Sequence, residues 1–337
     1  PIKEYLEKAL ESLLIQNLEG IELVLILDGS NQNTEKICEQ YQNKSEQIKI
    51  YKQENKGEGG ARNTGIENAT GEWVAFLDPD DWIEPNSIEI MKKAIKDYKE
   101  KMIDIMIFDT YINYKNKQVE NKFYNKDGIL SKNDKEEIQL QNIEKGITKY
   151  YPNNCNVSVV WAKLYSKEFI IKNKLKFKEK IKRMPDTIFN IKAFEKAKNI
   201  VHCNEYIYHY RKNENSITHS YYDSMINDIN IFLEEVEKYI KEYKKDERFL
   251  QTYYIAILTK IINFIEIAGN YKNITQNKDI IKAIEVFKNK YNKELKQIPE
   301  KNLGIYPKLM LHSILKSNWK KINIYIKLKK IIRRTNH

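Results

Sequence analysis

The chain has 337 residues, 41% hydrophobic and 31% charged, with a formal net charge of +11. That length holds two modest domains, or one domain with a long extension, and the charge favours anionic partners: nucleotide, phospholipid surface or nucleic acid. Its three cysteines, Cys38, Cys155 and Cys203, are odd in number and widely spaced, which fits reduced thiols and no metal or redox pattern.

The opening residue, Pro1, leads directly into helical spacing over residues 4–17, through Leu6, Ala9, Leu10, Leu13 and Leu14. This is the start expected of a chain whose first strand is missing. Ile21 to Leu27 reads as a short strand closed by Asp28-Gly29-Ser30, and Thr34 to Tyr41 as a helix. A strand at Ile48–Tyr51 is followed by a glycine-rich loop over 54–60, a helix from Ala61 to Ala69, and a strand from Trp73 to Leu77. A helix over Pro85–Tyr98 and a strand over Ile103–Phe108 complete the run. Strands alternating with helices at this spacing predict βαβ units and a mostly parallel sheet flanked by helices, with ligands at the carboxyl ends of the strands. Residues 113–150 are polar and weakly periodic; 157–172 reads as helical, Asp186–Ala197 as a helix and Ile200–Tyr210 as a strand. From about Ser224 the pattern is helical, over 225–243, 248–268 and 278–294, and ends in a basic tail. No apolar run reaches the roughly 18 residues that span a bilayer; the nearest, Tyr253–Ala268, is broken by Lys260 and Glu266.

The most telling stretch is 73–82, Trp-Val-Ala-Phe-Leu-Asp78-Pro-Asp80-Asp81-Trp, where an apolar strand stops in three carboxylates. Clustered carboxylates need a cation or solvent to offset their burial, and hard divalent ions such as Mg²⁺ or Mn²⁺ take oxygen ligands that they share with phosphates. Asp-Pro-Asp-Asp is equally good chemistry for a turn and a helix start, so both readings stand on this segment alone. Asp28 lies at the same sheet edge as the cluster.

Taken together, Asp28-Gly29-Ser30, Glu54-Asn55-Lys56-Gly57, Ala61-Arg62-Asn63-Thr64-Gly65-Ile66, Ala69-Thr70-Gly71-Glu72 and Phe76 through Trp82 arrive in the order and spacing of the family 2 glycosyltransferases, which the chain resembles. The likeness is close over 4–92, looser at 159–165, 184–190 and 206–218, and absent after about 225. It implies the nucleotide-sugar fold called GT-A and an inverting transferase of hexosyl or N-acetylhexosaminyl type, similar to enzymes that build bacterial capsule, wall or lipooligosaccharide glycans. By that resemblance Asp80 holds a Mn²⁺ or Mg²⁺ ion on the donor diphosphate, and Asp78 contacts ribose or metal-bound water. Asp28 faces the nucleotide, and Arg62 lies near it or pairs locally with the acidic cluster. Asp186, in Met184-Pro185-Asp186-Thr187-Ile188-Phe189, matches the general base; capping the helix that follows is its simpler role. Arg211 and Ser216, in the segment 211–219, match donor-diphosphate contacts. His209 and His219 are candidate extra metal ligands or ordinary histidines, and Trp161 a sugar-stacking ring or a core residue.

Three positions depart from the family pattern: the missing first strand, Leu27 where an aspartate is usual, and Pro185 where a glutamate is usual. They motivate the alternative of a degenerate module that binds nucleotide or glycan without turnover. The expected organisation is a nucleotide-sugar half over 1–112, an acceptor half over 113–223 and a helical basic region over 224–337. The expected partners are a nucleoside-diphosphate sugar, UDP-linked by preference, and a glycan or lipid-linked glycan acceptor. No nucleic acid is expected, because no recognition motif accompanies the charge. The segment Lys316–Arg334 mixes Trp, Ile and Leu with many cations; it reads as a helix for an anionic membrane surface or as a solvated helix packed on its own domain. The expected location is cytoplasmic, and peripheral on the inner face of the membrane if the first of these holds.

Overall fold

The computed structural model describes residues 2–144, 158–212, 220–271 and 273–335, with side chains up to Ile331. The chain divides into two compact units, one of residues 1–142 with 153–214 and one of 143–152 with 215–337.

The first unit is α/β. Helix α1 (Lys3–Leu14) and α2 (Gln32–Gln42) cover a parallel pair, β1 (Leu23–Asp28) and β2 (Ile48–Gln53). Leu6, Leu10, Leu23, Leu27, Ile37 and Ile48 close a small core there. Leu27 is 4% exposed within it, so the departure from aspartate at this position serves packing. Asn31 caps α2 through Thr34 N at 2.9 Å, which starts the helix two residues earlier than apolar spacing alone indicates.

The second sheet has seven strands, with the order β3 (Trp73–Ala75), β8 (Lys163–Ser166), β5 (Ile105–Asn113), β9 (Ile200–Arg211), β4 (Trp82–Ile83). Two short strands, β6 (Gln118–Asn121) and β7 (Gly128–Ile129), pair with β5 and β9. Here the expectation of mostly parallel pairing gives way: β5 runs parallel to β9, while β3, β4, β6, β7 and β8 all pair antiparallel. Two of these antiparallel pairings, of β8 with β3 and with β5, come from the segment 157–172. Its apolar residues form β8 and a short helix, α6 (Lys167–Lys172), instead of one helix. Val160 and Trp161, buried just before β8, join Leu164 and Tyr165 in the core between β3 and β5. Residues 113–150, read as weakly periodic, contribute β6, β7 and helix α5 (Lys132–Ile143). Among the described strands, β1 pairs only with β2 and β3 only with β8.

Helix α3 spans Gly57–Asn68, so the expected glycine-rich loop is largely its first turn. A Cβ on Gly59 would lie 2.3 Å from the Lys178 carbonyl oxygen. The glycine is needed for close approach of two backbones, not for a bend. Helices α4 (Ser87–Asp97) and α7 (Pro185–Lys196) complete this unit. Pro185 occupies the first turn of α7, where its missing N–H costs nothing.

The second unit is helical: α8 (Met225–Glu242), α9 (Glu247–Tyr271), α10 (Lys278–Lys290), α11 (Asn292–Lys296), α12 (Ile305–Leu315) and α13 (Trp319–Thr335). By length and composition α9 could cross a membrane, although no uninterrupted apolar run does; 72% of its apolar window is buried. It packs against α8 and α10 through α13 and forms the core of this unit.

Candidate active site

The run Asp78-Pro79-Asp80-Asp81 turns the chain from the end of β3 into β4. Phe76 anchors its start, edge-on to Tyr165 at 6.0 Å and Phe177 at 5.5 Å. One carboxylate oxygen from each of Asp78, Asp80 and Asp81 lies within 4.8 Å of the others. Asp81 is fully buried. Its Oδ2 accepts from the Tyr208 hydroxyl and its Oδ1 from the Arg211 amide, both at 2.7 Å. The Tyr208 hydroxyl also accepts from the Asp78 amide at 3.3 Å, so one phenol braces both ends of the turn. Burial, and then the Asp78 charge, push Asp81 up to about 8 and raise Asp80 as well. A divalent cation relieves such crowding. Asp81 has both oxygens engaged, which leaves the partly exposed Asp78 and Asp80 as the pair best able to hold the ion.

Arg62, in the second turn of α3, is 8% exposed. Its Nη2 donates to Asp78 Oδ1 at 2.8 Å and pairs with Glu58; its Nη1 donates to Asp186 Oδ1. Burial opposes its charge, but Asp186, Asp78 and Glu58 outweigh that and hold the guanidinium firmly protonated. The local pairing weighed for Arg62 is therefore realised, and it ties the β3 end to α7. Asp186 lies in the first turn of α7, whose N-cap is Met184 without a side-chain bond. Asp186 is not that cap; its carboxylate faces Arg62 and accepts from the Val160 amide. Burial raises the Asp186 carboxyl and Arg62 opposes the rise. Met184 and Ala162, at φ 63° and 53°, flank this point, a placement of strained backbone that often marks a functional site.

Arg211, at the end of β9, donates from Nε to the Asp80 carbonyl at 2.8 Å. Its guanidinium lies 4.1 Å from the Tyr5 ring centre and 4.7 Å from that of Trp82. Lys8 Nζ sits 3.3 Å over the same Trp82 ring; burial, and then Arg211, lower its pKa. Two cations thus stand beside three aspartates. Asp28 is set apart from the cluster: it accepts from Gln53 Nε2 and from the amide of Lys56, the N-cap of α3, both at 2.7 Å, and Gln53 in turn accepts from the Thr64 hydroxyl. Ser216, Thr218 and His219 lie outside the described residues. His209 stacks on Trp82 at 4.7 Å and bonds Glu84 at 2.7 Å, and it is not part of the carboxylate cluster found among the described residues. Trp161 is 3% exposed and stacks on Tyr208 at 4.8 Å; of its two readings, the core residue holds. Sequence reasoning left out Tyr208, Glu58 and Lys8 as site neighbours. Tyr208 meets Asp81 across 127 residues, and no local pattern carries such a pairing.

The profile described as "Glycosyl transferase family 2" matches residues 3–197. The glycosyltransferase-described protein EpsH of Bacillus subtilis is 30% identical over 251 residues, 72% of this chain and 69% of its own length. EpsJ of the same organism is 30% identical over 223 residues, 64% of this chain and 60% of its own. Among solved structures, residues 1–349 of Staphylococcus aureus TarS in complex with UDP-GlcNAc superpose with a TM-score of 0.64 at 17% identity, covering 97% of this chain and 88% of that one. That likeness establishes the shared fold.

Proposed function

The chain belongs to glycosyl transferase family 2, and from that premise we propose that it is an inverting, metal-dependent enzyme. It moves a hexosyl or N-acetylhexosaminyl group from a UDP-sugar to a hydroxyl of a surface glycan or lipid-linked glycan. The observation that carries this is the shared guanidinium of Arg62, which joins Asp78 of the acidic run to Asp186. On this reading the proposed ion position and the proposed base would stand on opposite arms of one residue.

Asp78 and Asp80 would hold the Mn²⁺ or Mg²⁺ ion, which supplies positive charge where the departing diphosphate gains negative charge. Arg211 and Ser216 add donors to the diphosphate, and Asp28 faces the nucleoside. Asp186 takes the proton of the acceptor hydroxyl as its oxygen bonds to the anomeric carbon. The bond from that carbon to the diphosphate oxygen breaks on the opposite face, and UDP leaves with the electron pair. Burial raises the base toward neutrality, which suits it to accept a proton. Residues 1–112 serve the donor and 113–223 the acceptor. The TarS complex supports UDP as the nucleotide.

Calorimetry with UDP, with and without Mn²⁺, tests the reading, with Asp80→Asn as the control. Binding that needs both the ion and Asp80, followed by sugar transfer, supports it. Binding without turnover under any donor assigns the chain to the degenerate alternative, and absence of binding by folded protein overturns the UDP reading.

A further inference from the structure

Helix α13 has two apolar faces. Ile322 and Ile326 are 0% and 3% exposed. Ile326 comes close to Gly269 of α9, where a Cβ would lie 3.4 Å from the Ile326 methyl. Lys329 donates to Glu266 at 2.5 Å and Lys330 to the Gly269 carbonyl at 3.2 Å. This face fixes α13 to its own unit. On the opposite face, Ile324, Leu328 and Ile331 are 53%, 50% and 59% exposed. Their spacing of four and three residues makes one stripe along the helix. Exposed Lys320 and Lys327 border one side of the stripe and exposed Lys321 the other. None of the three forms an ion pair with a described residue, and α13 contains no Asp or Glu.

Ile322 and Ile326 already form the face toward α9, and the outer stripe lies exposed. We propose that this outer face of α13 seats on an anionic phospholipid bilayer. Its apolar side chains enter the headgroup boundary while the flanking lysines meet lipid phosphates, with their stems along the apolar surface. Charge selects this occupant. A second copy of the same face would set lysine against lysine, and a nucleic acid would gain nothing from the isoleucine and leucine. Each lysine near such a surface strengthens binding about fivefold. The inference rests on the second unit alone and is independent of the transferase reading.

The test is sedimentation of the full chain with extruded vesicles of phosphatidylcholine, with and without phosphatidylglycerol. The expected result is binding to the anionic vesicles at least about tenfold tighter than to the neutral ones, weakening as salt rises. Ile324→Glu with Leu328→Glu lowers that binding at least about tenfold while the melting temperature is unchanged, because both positions are exposed. Lys320→Glu, Lys321→Glu and Lys327→Glu together remove the preference for anionic lipid. Equal binding to both vesicle types, no binding to either, or binding unaffected by the Ile324/Leu328 pair overturns the proposal. A lipid-free dimer, seen by sedimentation velocity and dissolved by that same pair, overturns it in favour of a second copy.

Discussion

Arg62 and Asp186 lie 124 residues apart in sequence and are hydrogen-bonded in the fold. The same guanidinium reaches Asp78 at 2.8 Å. It is buried, so its removal leaves Asp78 and Asp186 facing each other without a cation. Arg62→Ala is expected to cost about 3 kcal/mol at neutral pH, the scale for stripping one partner from a buried ion pair. Without the guanidinium, burial holds the Asp186 carboxyl above its unfolded value, so the folded variant binds protons more tightly than the unfolded chain. The deficit therefore shrinks as pH falls. Urea melts of both proteins at neutral and mildly acidic pH check this; a gap that is small or independent of pH removes the clamp role.

Asp186→Asn separates binding from chemistry. The amide still accepts a hydrogen bond from Arg62 but cannot take a proton. Transfer is expected to fall about 10²- to 10⁴-fold with UDP affinity nearly unchanged. With Asp186 as the proposed base, kcat/KM of the unsubstituted enzyme is expected to rise with pH through the Asp186 titration. Burial places that limb above the ordinary carboxylate value of 3.8. Loss of UDP affinity in the variant would move Asp186 from the base role to the donor site.

Much of this site was legible because its pieces are local. The apolar run that leads to Asp78, the aspartate that ends β1 and the helix start at Pro185 each announce themselves within ten residues. What was not legible is pairing at a distance. Tyr208 bracing Asp81, and Lys8 sharing Trp82 with Arg211, depend on how β9 and α1 are brought to the acidic turn. The periodicity of 157–172 misled for a related reason. A short buried apolar run fits helix and strand alike, and β8 is a strand because β3 and β5 offer edges on both sides. The glycines of α3 misled because close approach and flexibility leave the same residue in a sequence.

Glu22 supplies a pH-dependent clamp at the foot of the first unit. Its Oε1 accepts from the Thr70 hydroxyl at 2.8 Å and the Gly71 amide at 2.9 Å, and also from the Thr70 amide; Lys49 Nζ lies 3.0 Å from Oε2. Burial opposes the charge, but the Thr70 amide and Lys49 outweigh it and hold the carboxyl at about 2, below its ordinary 4.5. A depressed folded value means stabilisation that is complete above the unfolded pKa and lost as pH falls from about 4.5 toward 2. Glu22→Gln is expected to cost about 1–2 kcal/mol at pH 7, the roughly 1.5–3 kcal/mol of hydrogen bonds to a charged acceptor reduced by solvent screening. The two unfolding curves should converge near pH 2. A constant difference down to that pH would mean that the side chain acts by shape and not by charge.

Two glycines of α3 should respond oppositely to the same change. Alanine ordinarily gains about 1 kcal/mol over glycine inside a helix. At Gly65 the new methyl would meet only the Ile26 side chain at 3.8 Å, an ordinary contact, so Gly65→Ala should be neutral or stabilising by up to about 1 kcal/mol. At Gly59 it would lie 2.3 Å from the Lys178 carbonyl oxygen and 3.2 Å from the Phe177 Cβ. Neither neighbour is a flexible side-chain tip. Relief requires moving the 177–180 segment, where Asn63 holds the Phe177 backbone by hydrogen bonds of 2.8 and 3.0 Å. Gly59→Ala should therefore destabilise by about 1–3 kcal/mol despite its better helix propensity. Because that segment leads into Asp186, transfer should fall as well. Thermal melts of the two variants side by side decide the matter, and a stable Gly59→Ala protein would show that the α3 contact with Lys178 is looser than the 2.3 Å approach requires.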